Sequence, residues 1–367
     1  MTPDHPNLRS YFAEPTIDRS THPIDPWRWI ETAPPTSDLG VAESVFTVGN
    51  GYLGVRGNPE EGRDYTLNGT YVNGLHETWN IQHAEDAYGL ARVGQSIVNA
   101  PDAKTIRIYV DDEPFRISRA DLSYYERSLD FRDGVLRRSI EWRTPAGKRV
   151  LMDFTRLVSL TDRHLGIEEV RIVLPEDSAP VMLSSQIMNR QDGQDEFGSA
   201  TSASRPASPE DVTQATVNTG SDPRRADHFQ SRVFVPVMQV NEGEKIALGY
   251  RIKNSGMALV VGADHDFSTS NDFYVSSSAA PDMAKVQYHV DARPGEEIVL
   301  TKYFSYHDSY RASVSELMDR VEETLQRAHK HGPMDYVESQ REWLADFWDR
   351  ADAVSYTHLR AHETSLH

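Results

Sequence analysis

Apolar and polar residues alternate along most of the chain from Trp27 to Tyr306. In one run, Ile106, Ile108 and Val110 fall on the same face, and Asp111-Asp112 follows as a turn. Runs of period two that are separated by Gly, Pro and Asp are typical of antiparallel sheets. The pattern therefore predicts a mostly β protein built as a large antiparallel β-sandwich.

The same alternation predicts a hairpin and several further strands. The hairpin spans Leu129–Arg143 and turns at Asp133-Gly134, with Leu136, Ile140 and Trp142 on one face. The other predicted strands lie within Val150–Phe154, Val170–Leu174, Val233–Val240, Lys245–Ile252, Met257–Gly262, Lys285–Val290 and Ile298–Tyr306.

After Tyr306 the spacing of apolar residues becomes helical. A first helix is predicted from a capping box at Ser313 and Glu316 to a stop at Gly332-Pro333. A second helix, Met334–Asp352, carries a stripe of large residues. The stripe consists of Tyr336, Gln340, Trp343, Leu344, Phe347 and Trp348. Because no partner for it is evident in the sequence, we expect an exposed patch that drives self-association. The alternative is that this helix folds back onto the sandwich.

Composition excludes several classes of function. The 367 residues leave room for two or three domains. Lys and Arg number 38 against 56 Asp and Glu, and the net charge of −18 would repel nucleic acid and anionic membranes. The chain has no cysteine, which excludes disulfides and thiolate sites. It has neither an apolar leader nor a run of about 18 apolar residues, so we expect a cytoplasmic protein with no membrane partner.

The segment GNGYLGVRG contains the pattern G-x-G-x-x-G at Gly49, Gly51 and Gly54. This pattern binds a dinucleotide only where a strand precedes it and a helix begins on it. The β-prone run Ser44–Val48 could supply the strand, but Gly and Pro are too frequent downstream for a helix. We favour two strands joined by a tight Gly-Asn-Gly turn, and no nucleotide cofactor.

The last residues, Val354–His367, do not continue the apolar period of the second helix. His358 and His362 lie four residues apart, but HETSLH lacks the second histidine of an H-E-x-x-H motif, so no metal site is expected. The tail resembles translated sequencing-adapter DNA, and we interpret it as non-native.

Five stretches together resemble glycoside hydrolase family 65, which includes phosphorylases of maltose, trehalose and kojibiose and some hydrolases. They are ESVFTVGNGYLGVRGNPEEG (Glu43–Gly62), GTYVNGLHETW (Gly69–Trp79), EDAYGLARVGQSIVNAPDAKTIRIYVDDEPF (Glu85–Phe115), LRRSIEWRTPAGKRV (Leu136–Val150) and FWDRADA (Phe347–Ala353). In this family the glycine-rich segment belongs to a β-sandwich and binds no nucleotide.

The resemblance implies how the chain is divided. It implies an N-terminal extension at residues 1–26 and a galactose-mutarotase-like super-sandwich at 27–306. Within the sandwich, the stretch 191–227 is rich in Ser, Asp, Gly, Pro and Thr, and this composition predicts a long exposed loop or a disordered excursion. Linker α-helices at 307–353 would lead to an (α/α)6 barrel that is absent here, before the tail at 354–367. Because that barrel carries the catalytic glutamate, no catalytic residue is assigned in this chain.

The resemblance also implies the chemistry of the intact parent. A carboxylic acid would protonate the glycosidic oxygen of a disaccharide such as maltose, trehalose or kojibiose, with inversion. The nucleophile would be inorganic phosphate, as co-substrate of a phosphorylase, or water in a hydrolase. This chain alone is expected to be inactive. A homodimer is the oligomeric state considered for the parent.

The candidate substrate-binding residues are His76, Glu77, Trp79, Asp86 and Tyr88. For Glu77 and Asp86 we favour an interpretation as solvated loop acids, and for Trp79 and Tyr88 as core residues. The second hypothesis for the whole chain is a non-catalytic carbohydrate-binding sandwich, in which the aromatic side chains stack on sugar rings.

Overall fold

A computed structural model describes residues 17–35, 39–62, 69–81, 83, 87–189 and 232–363, with side chains up to residue 351. The described helices are α1 (Leu39–Val45) and α2 (Val314–Glu363). The strands are β1 (Arg28–Glu31), β2 (Val48–Gly49), β3 (Leu53–Val55), β4 (Thr70–Val72), β5 (His76–Asn80), β6 (Val93–Ile97), β7 (Ile106–Val110), β8 (Glu113–Pro114), β9 (Asp121–Asp130), β10 (Val135–Arg143), β11 (Arg149–Val158), β12 (Leu165–Val173), β13 (Ala179–Met188), β14 (Phe234–Glu242), β15 (Lys245–Ile252), β16 (Ala258–Thr269), β17 (Asp272–Ala280), β18 (Met283–Ala292) and β19 (Ile298–Ser309). The loop predicted at 191–227 lies outside the described residues.

Two large antiparallel sheets form a sandwich. The first has nine strands in the order β1-β9-β10-β11-β12-β19-β16-β15-β14, and the second has five in the order β17-β18-β13-β7-β8. A three-stranded sheet, β2-β3-β4, and a ribbon, β5-β6, accompany them. Apolar side chains from both large sheets and from β2-β3-β4 pack into one continuous core. The predicted mostly β sandwich is confirmed.

The tight turns lie where the sequence predicted them. Gly134 joins β9 to β10 with a φ of 64°, and Gly147 joins β10 to β11 with a φ of 87°. Asp111 and Asp112 join β7 to β8 with φ values of 52° and 62°. Two consecutive residues of positive φ suit a two-residue hairpin, and aspartate tolerates this conformation better than most residues.

The chain before the glycine-rich turn differs from the prediction. Ser44–Val48 was expected to be β-stranded, but α1 extends to Val45 and only Val48 of this run pairs, in β2. The last turn of α1 is held by tertiary contacts, because the Glu43 carbonyl accepts the Gly57 N–H at 2.8 Å. Tertiary contacts therefore override the local β propensity of Ser44–Val48.

The strands that the sequence did not predict individually include β13 and β17. β13 buries Ser184, Ser185 and Gln186 in succession, so it shows no clean alternation of apolar and polar residues. β17 is an edge strand of the five-stranded sheet and is rich in small residues. Both strands form because pairing with β18 satisfies their backbone groups.

α2 consists of two helical segments that meet at Gly332, whose φ and ψ are 74° and 165°. Ser313 Oγ accepts the Glu316 N–H at 3.1 Å, as the capping box predicts. The first segment packs on the outer face of the nine-stranded sheet and forms a second apolar core there. The helical members of this core are Val314, Leu317, Met318, Val321, Leu325 and Ala328 of the first segment and Tyr336 and Val337 of the second.

The second segment of α2 covers the sandwich with only part of its stripe. Gln340 is buried, and its side chain donates to the Asp133 carbonyl at 2.7 Å and accepts the Leu160 N–H at 3.2 Å. Trp343 and Phe347 remain 45% and 39% exposed. The expectation of a wholly exposed stripe is therefore wrong for its first half, which folds back onto two turns of the sheet.

The helical backbone of α2 continues to Glu363, whereas the sequence placed the end of the linker at residue 353. The non-native origin of the tail stays a prediction. Within the described ranges, no helix combines the length and the apolar character needed to cross a bilayer.

Candidate functional site around the glycine-rich segment

The glycine-rich segment begins as a hairpin. β2 and β3 pair with Gly49 opposite Gly54, and Gly51 adopts a φ of 85°. The Asn50 carboxamide oxygen accepts two backbone N–H groups of the following residues, and its nitrogen donates to the Ser159 carbonyl at 2.6 Å. The predicted Gly-Asn-Gly turn is confirmed, and it is fastened to the turn between β11 and β12.

After β3, residues 56–62 lie across the inner face of the nine-stranded sheet. Arg127 donates to the Gly57 carbonyl at 3.0 Å, and Arg156 donates to the Asn58 carbonyl at 3.1 Å. The segment therefore turns carbonyl oxygens toward cations. A phosphate cradle needs the reverse, with backbone N–H groups turned toward an anion. This geometry supports the β-turn interpretation over a dinucleotide site.

A row of buried charged residues crosses five adjacent strands beneath this segment. The charge row consists of Arg127, Arg138, Arg156, Glu168 and Lys302, on β9, β10, β11, β12 and β19 respectively. Arg127 lies directly opposite Arg138 on the neighbouring strand. Because like charges that face each other across strands repel, these arginines need anions from elsewhere.

The glycine-rich segment supplies the anions for Arg138, whereas Arg127 pairs with Glu31 of β1 at 2.8 Å. The Glu60 carboxylate lies 2.5 Å from Arg138 and 3.1 Å from Arg156, and the Glu61 carboxylate lies 2.6 Å from Arg138. Arg156 also pairs with Glu168 at 2.8 Å. All of these side chains are buried, so removing one partner would leave an uncompensated charge inside the sandwich. The N-P-E-E part of the segment is therefore the electrostatic counterpart of the arginines.

Glu168 and Lys302, in the charge row, have strongly displaced pKa values. Burial raises the pKa of Glu168 to about 7, although the charge of Arg156 opposes this, and the negative charge of Glu60 raises it further. Burial lowers the pKa of Lys302 to about 8, against the pull of Glu168. A carboxyl group with a pKa near 7 suits general acid catalysis. Glu168 is fully buried, however, so it cannot touch a substrate and its role is structural.

Sequence reasoning missed the charge row, although its signal is present. Arg138 stands between Leu136 and Ile140 on the face of β10 that was assigned to the core, and Arg156 occupies the equivalent position in β11. Arginine is almost never fully buried without a partner. A charged residue at an inward position in neighbouring strands is thus a signal for buried ion pairs.

Tyr52 joins the glycine-rich turn to the end of β19. Its hydroxyl donates to an Asp308 carboxylate oxygen at 2.6 Å, and its ring packs edge-on against His164 with centroids 4.4 Å apart. His164 stacks on His307 with centroids 3.9 Å apart. Burial lowers the pKa of both histidines, that of His307 to about 3. The two rings therefore stack as neutral imidazoles.

Two of the predicted site residues, His76 and Glu77, have different roles. His76 Nε2 lies 2.5 Å from the hydroxyl of Tyr310, which follows β19. Glu77 is buried, and its carboxylate accepts N–H groups of Asn254 and Ser255, the latter at 2.9 Å, in the turn between β15 and β16. The interpretation of Glu77 as a solvated loop acid is therefore wrong, because the carboxylate caps a turn whose N–H groups need acceptors.

The remaining candidate site residues also lie in different surroundings. Trp79 is half-buried against Gly94 of β6, where an added Cβ would lie 2.3 Å from the indole ring. Tyr88 is fully exposed, so its expected core position is wrong. Asp86 lies outside the described residues. On β5, then, His76 approaches Tyr310, Glu77 caps a turn and Trp79 packs on the ribbon, so these three do not converge on one pocket.

Comparison with known proteins agrees with this architecture. Residues 29–347 match the profile of the glycosyl hydrolase family 65 N-terminal domain. An uncharacterized glycosyl hydrolase of Mycobacterium tuberculosis is 32% identical over 340 residues, which cover 92% of this chain and 40% of that protein. An α,α-trehalose phosphorylase of Thermoanaerobacter brockii is 28% identical over 337 residues, which cover 91% of this chain and 41% of the relative.

A solved structure shares the fold. It is a human-microbiome protein assigned as a kojibiose phosphorylase, with a TM-score of 0.71 and 18% sequence identity over 89% of this chain and 39% of that one. The chain thus spans about two fifths of the length of these relatives. A profile match over most of the chain, on a sandwich with the same fold, shows that this protein belongs to glycosyl hydrolase family 65.

Proposed function

We propose that this chain is the N-terminal, non-catalytic part of an inverting disaccharide phosphorylase and is inactive alone. The match of residues 29–347 to an N-terminal-domain profile carries the proposal. The buried carboxylates of the glycine-rich segment support it, because Glu60 and Glu61 are bound to arginines inside the sandwich. A general acid must instead contact the glycosidic oxygen of a substrate.

In the intact enzyme, a carboxylic acid outside this chain would protonate the glycosidic oxygen as the bond breaks. Inorganic phosphate would attack the anomeric carbon from the opposite face, so an α-glucoside would yield β-glucose 1-phosphate and a free sugar. In a hydrolase, a second carboxylate would activate water at that position. Relatives named trehalose phosphorylase and kojibiose phosphorylase favour phosphate as the nucleophile.

The test compares the 367-residue chain with a protein extended by the coding sequence downstream of the Ala353 codon. Each is incubated with maltose, trehalose or kojibiose, with and without phosphate, and the products are identified by NMR. We expect no product from the chain alone and phosphate-dependent β-glucose 1-phosphate from the extended protein. Turnover by the purified chain would contradict its inactivity, and phosphate-independent glucose release by the extended protein would identify a hydrolase.

A non-catalytic carbohydrate-binding sandwich is the second candidate function. The complete exposure of Tyr88 beside the β5-β6 ribbon favours it, since an exposed aromatic ring can stack on a sugar. A genomic stop codon directly after Ala353 would favour this module. Family-like coding sequence beyond that codon would favour the phosphorylase.

The proposal also covers the cellular location, the partners and the oligomeric state of the protein. We propose a cytoplasmic protein, and the net charge of −18 supports the absence of nucleic-acid and anionic-membrane partners. Binding to duplex DNA or to anionic vesicles at low salt would contradict this. A homodimer of the extended protein is proposed as well, and its molar mass in solution would test it.

A further inference from the structure

We propose that the outer face of the five-stranded sheet carries a saccharide-binding groove. The groove has a volume of about 430 Å³, and its principal lining residues are Tyr109, Met182, Asp272, Tyr274, His289 and Asp291. Small-molecule sites in proteins commonly enclose roughly 300–1,000 Å³ and combine aromatic walls with a few polar groups. This site does not depend on which reaction the whole enzyme catalyses.

Strand register builds the aromatic part of the groove. Tyr109 of β7 lies opposite Met182 of β13, which lies opposite His289 of β18, which in turn lies opposite Tyr274 of β17. These four residues form a row across four neighbouring strands, about 14 Å long at the usual strand spacing. The row faces away from the sandwich core, because the alternate residues of these strands are the ones that form the core.

The exposed end of this row is preorganised. The rings of Tyr274 and His289 stack with centroids 4.4 Å apart and planes inclined by only 6°. Tyr274 is 64% exposed on the edge strand, so one face of its ring is open to a ligand. A rigid, open aromatic ring can cover the apolar face of a ligand at a low cost in side-chain entropy.

A second row supplies hydrogen-bond acceptors. Asp291 of β18 lies opposite Asp272 of β17, two residues along each strand from the aromatic row, and Asp112 also lines the groove. Among the described residues, none of the three carboxylates forms an ion pair or a side-chain hydrogen bond with another residue. Ionised carboxylates only accept hydrogen bonds, so the ligand must bring the donors.

These two rows together specify the ligand's chemistry. The ligand needs an apolar face for the rings and several O–H donors for the carboxylates, which a neutral pyranose provides. Phosphorylated ligands are disfavoured by three uncompensated negative charges. Within the described part of the chain, no group of three or more His, Asp or Glu side chains is arranged to hold a metal ion. A neutral mono- or oligosaccharide is therefore the occupant.

The experiment titrates the full chain with maltose, trehalose, kojibiose and, separately, glucose 1-phosphate, by isothermal calorimetry and saturation-transfer NMR. We expect at least one neutral disaccharide to bind, and glucose 1-phosphate to bind at least about tenfold more weakly. Tyr274→Ala should weaken disaccharide binding by about tenfold or more. Asp291→Asn should weaken it less and should reduce the discrimination against glucose 1-phosphate, because one repelling charge is removed.

One exposed tyrosine outside the groove provides a matched control. Tyr124→Ala, on β9, should retain wild-type disaccharide binding. Tyr88→Ala, beside the ribbon, tests the competing sugar contact considered above for that ring. Melting curves check that Tyr274→Ala is folded. Absence of disaccharide binding to the wild type would overturn the proposal, as would binding lost in Tyr88→Ala but kept in Tyr274→Ala. Capture of a lysine-rich peptide in place of sugars would overturn it too. Since the groove is assayed by binding, these outcomes are separate from the turnover test of the phosphorylase.

Discussion

The two faces of the nine-stranded sheet are buried in different ways. The outer face meets α2 through an apolar core that includes Leu317, Val321 and Leu325. The inner face meets the five-stranded sheet and the glycine-rich segment, and it carries the charge row amid the main apolar core. One sheet thus supports a helix by apolar contact and holds an irregular segment by ion pairs.

The difference follows from what each face must hold. A helix satisfies its own backbone hydrogen bonds, so its apolar side chains are sufficient for packing. Residues 56–62 do not form such a ladder, and buried carbonyls must find donors. Arginine is suited to this task because its planar guanidinium carries five donors in a fixed arrangement. Buried ion pairs are a weak source of net stability, so we infer that the charge row chiefly fixes the position of the segment.

The largest expected effect comes from breaking the charge row. Arg156→Met would leave Glu168 and Glu60 without a shared cation inside the sandwich, and we expect a loss of about 3–5 kcal/mol in the free energy of unfolding. Urea unfolding followed by fluorescence measures it. Arg171→Met is the matched control, since Arg171 pairs with Glu169 on the exposed side of β12, and it should cost at most about 1 kcal/mol. Equal losses in the free energy of unfolding for both variants would refute the distinction between buried and exposed arginine ion pairs.

Acid should destabilise both faces through a buried histidine on each. Burial lowers the pKa of His265, on the inner face, and of His307, on the outer face, to about 3. An unfolded histidine titrates near pH 6.5, so below that pH the unfolded chain binds protons that the folded chain does not. Stability should therefore fall as the pH falls from 6.5 toward 3, by up to about 1.4 kcal/mol per pH unit for each histidine. Above pH 6.5 these two groups contribute no pH dependence.

His307→Gln should make this acid dependence shallower, because glutamine can still donate to Thr324 but does not titrate. Urea unfolding at a series of pH values measures the slope, and His331→Gln, on the exposed side of α2, serves as the control variant. An unchanged slope in His307→Gln would show that the lowered pKa of His307 does not govern the acid response.

The smallest effect on stability is expected from the exposed part of the α2 stripe. Trp343→Ser with Phe347→Ser should change the free energy of unfolding by less than about 1 kcal/mol, but should reduce self-association and hydrophobic-dye binding. Trp348→Ser should behave differently, since its indole N–H donates to the Phe131 carbonyl at 2.6 Å and its ring packs against Trp27. Light scattering, dye fluorescence and urea unfolding distinguish the two variants. A large destabilisation in the double variant would place that pair in the core.

Much of the fold could be predicted from local pattern. The hairpin around Gly134, the Asn50 turn and the capping box at Ser313 each depend on residues that are close in sequence. β13 could not be predicted in this way, because it buries polar residues such as Ser185, whose hydroxyl pairs with His265 of β16 in the other large sheet. For the candidate site, the sequence identified the glycine-rich segment but not its purpose, since the arginines that hold it come from three distant strands.

The sequence by itself determined the period of each element, because side chains alternate in a strand and recur every three to four residues in a helix whatever surrounds them. It also determined where the chain turns, through glycine and aspartate at positions of positive φ and through the side chain of Asn50. Tertiary structure alone decided which side chains meet. Glu60 contacts Arg138 and Gln340 contacts Asp133 only once the register of the strands is set. The same register places Tyr274 and Tyr109 in one row. Register depends on the simultaneous burial of many side chains, and no single stretch of sequence contains that information.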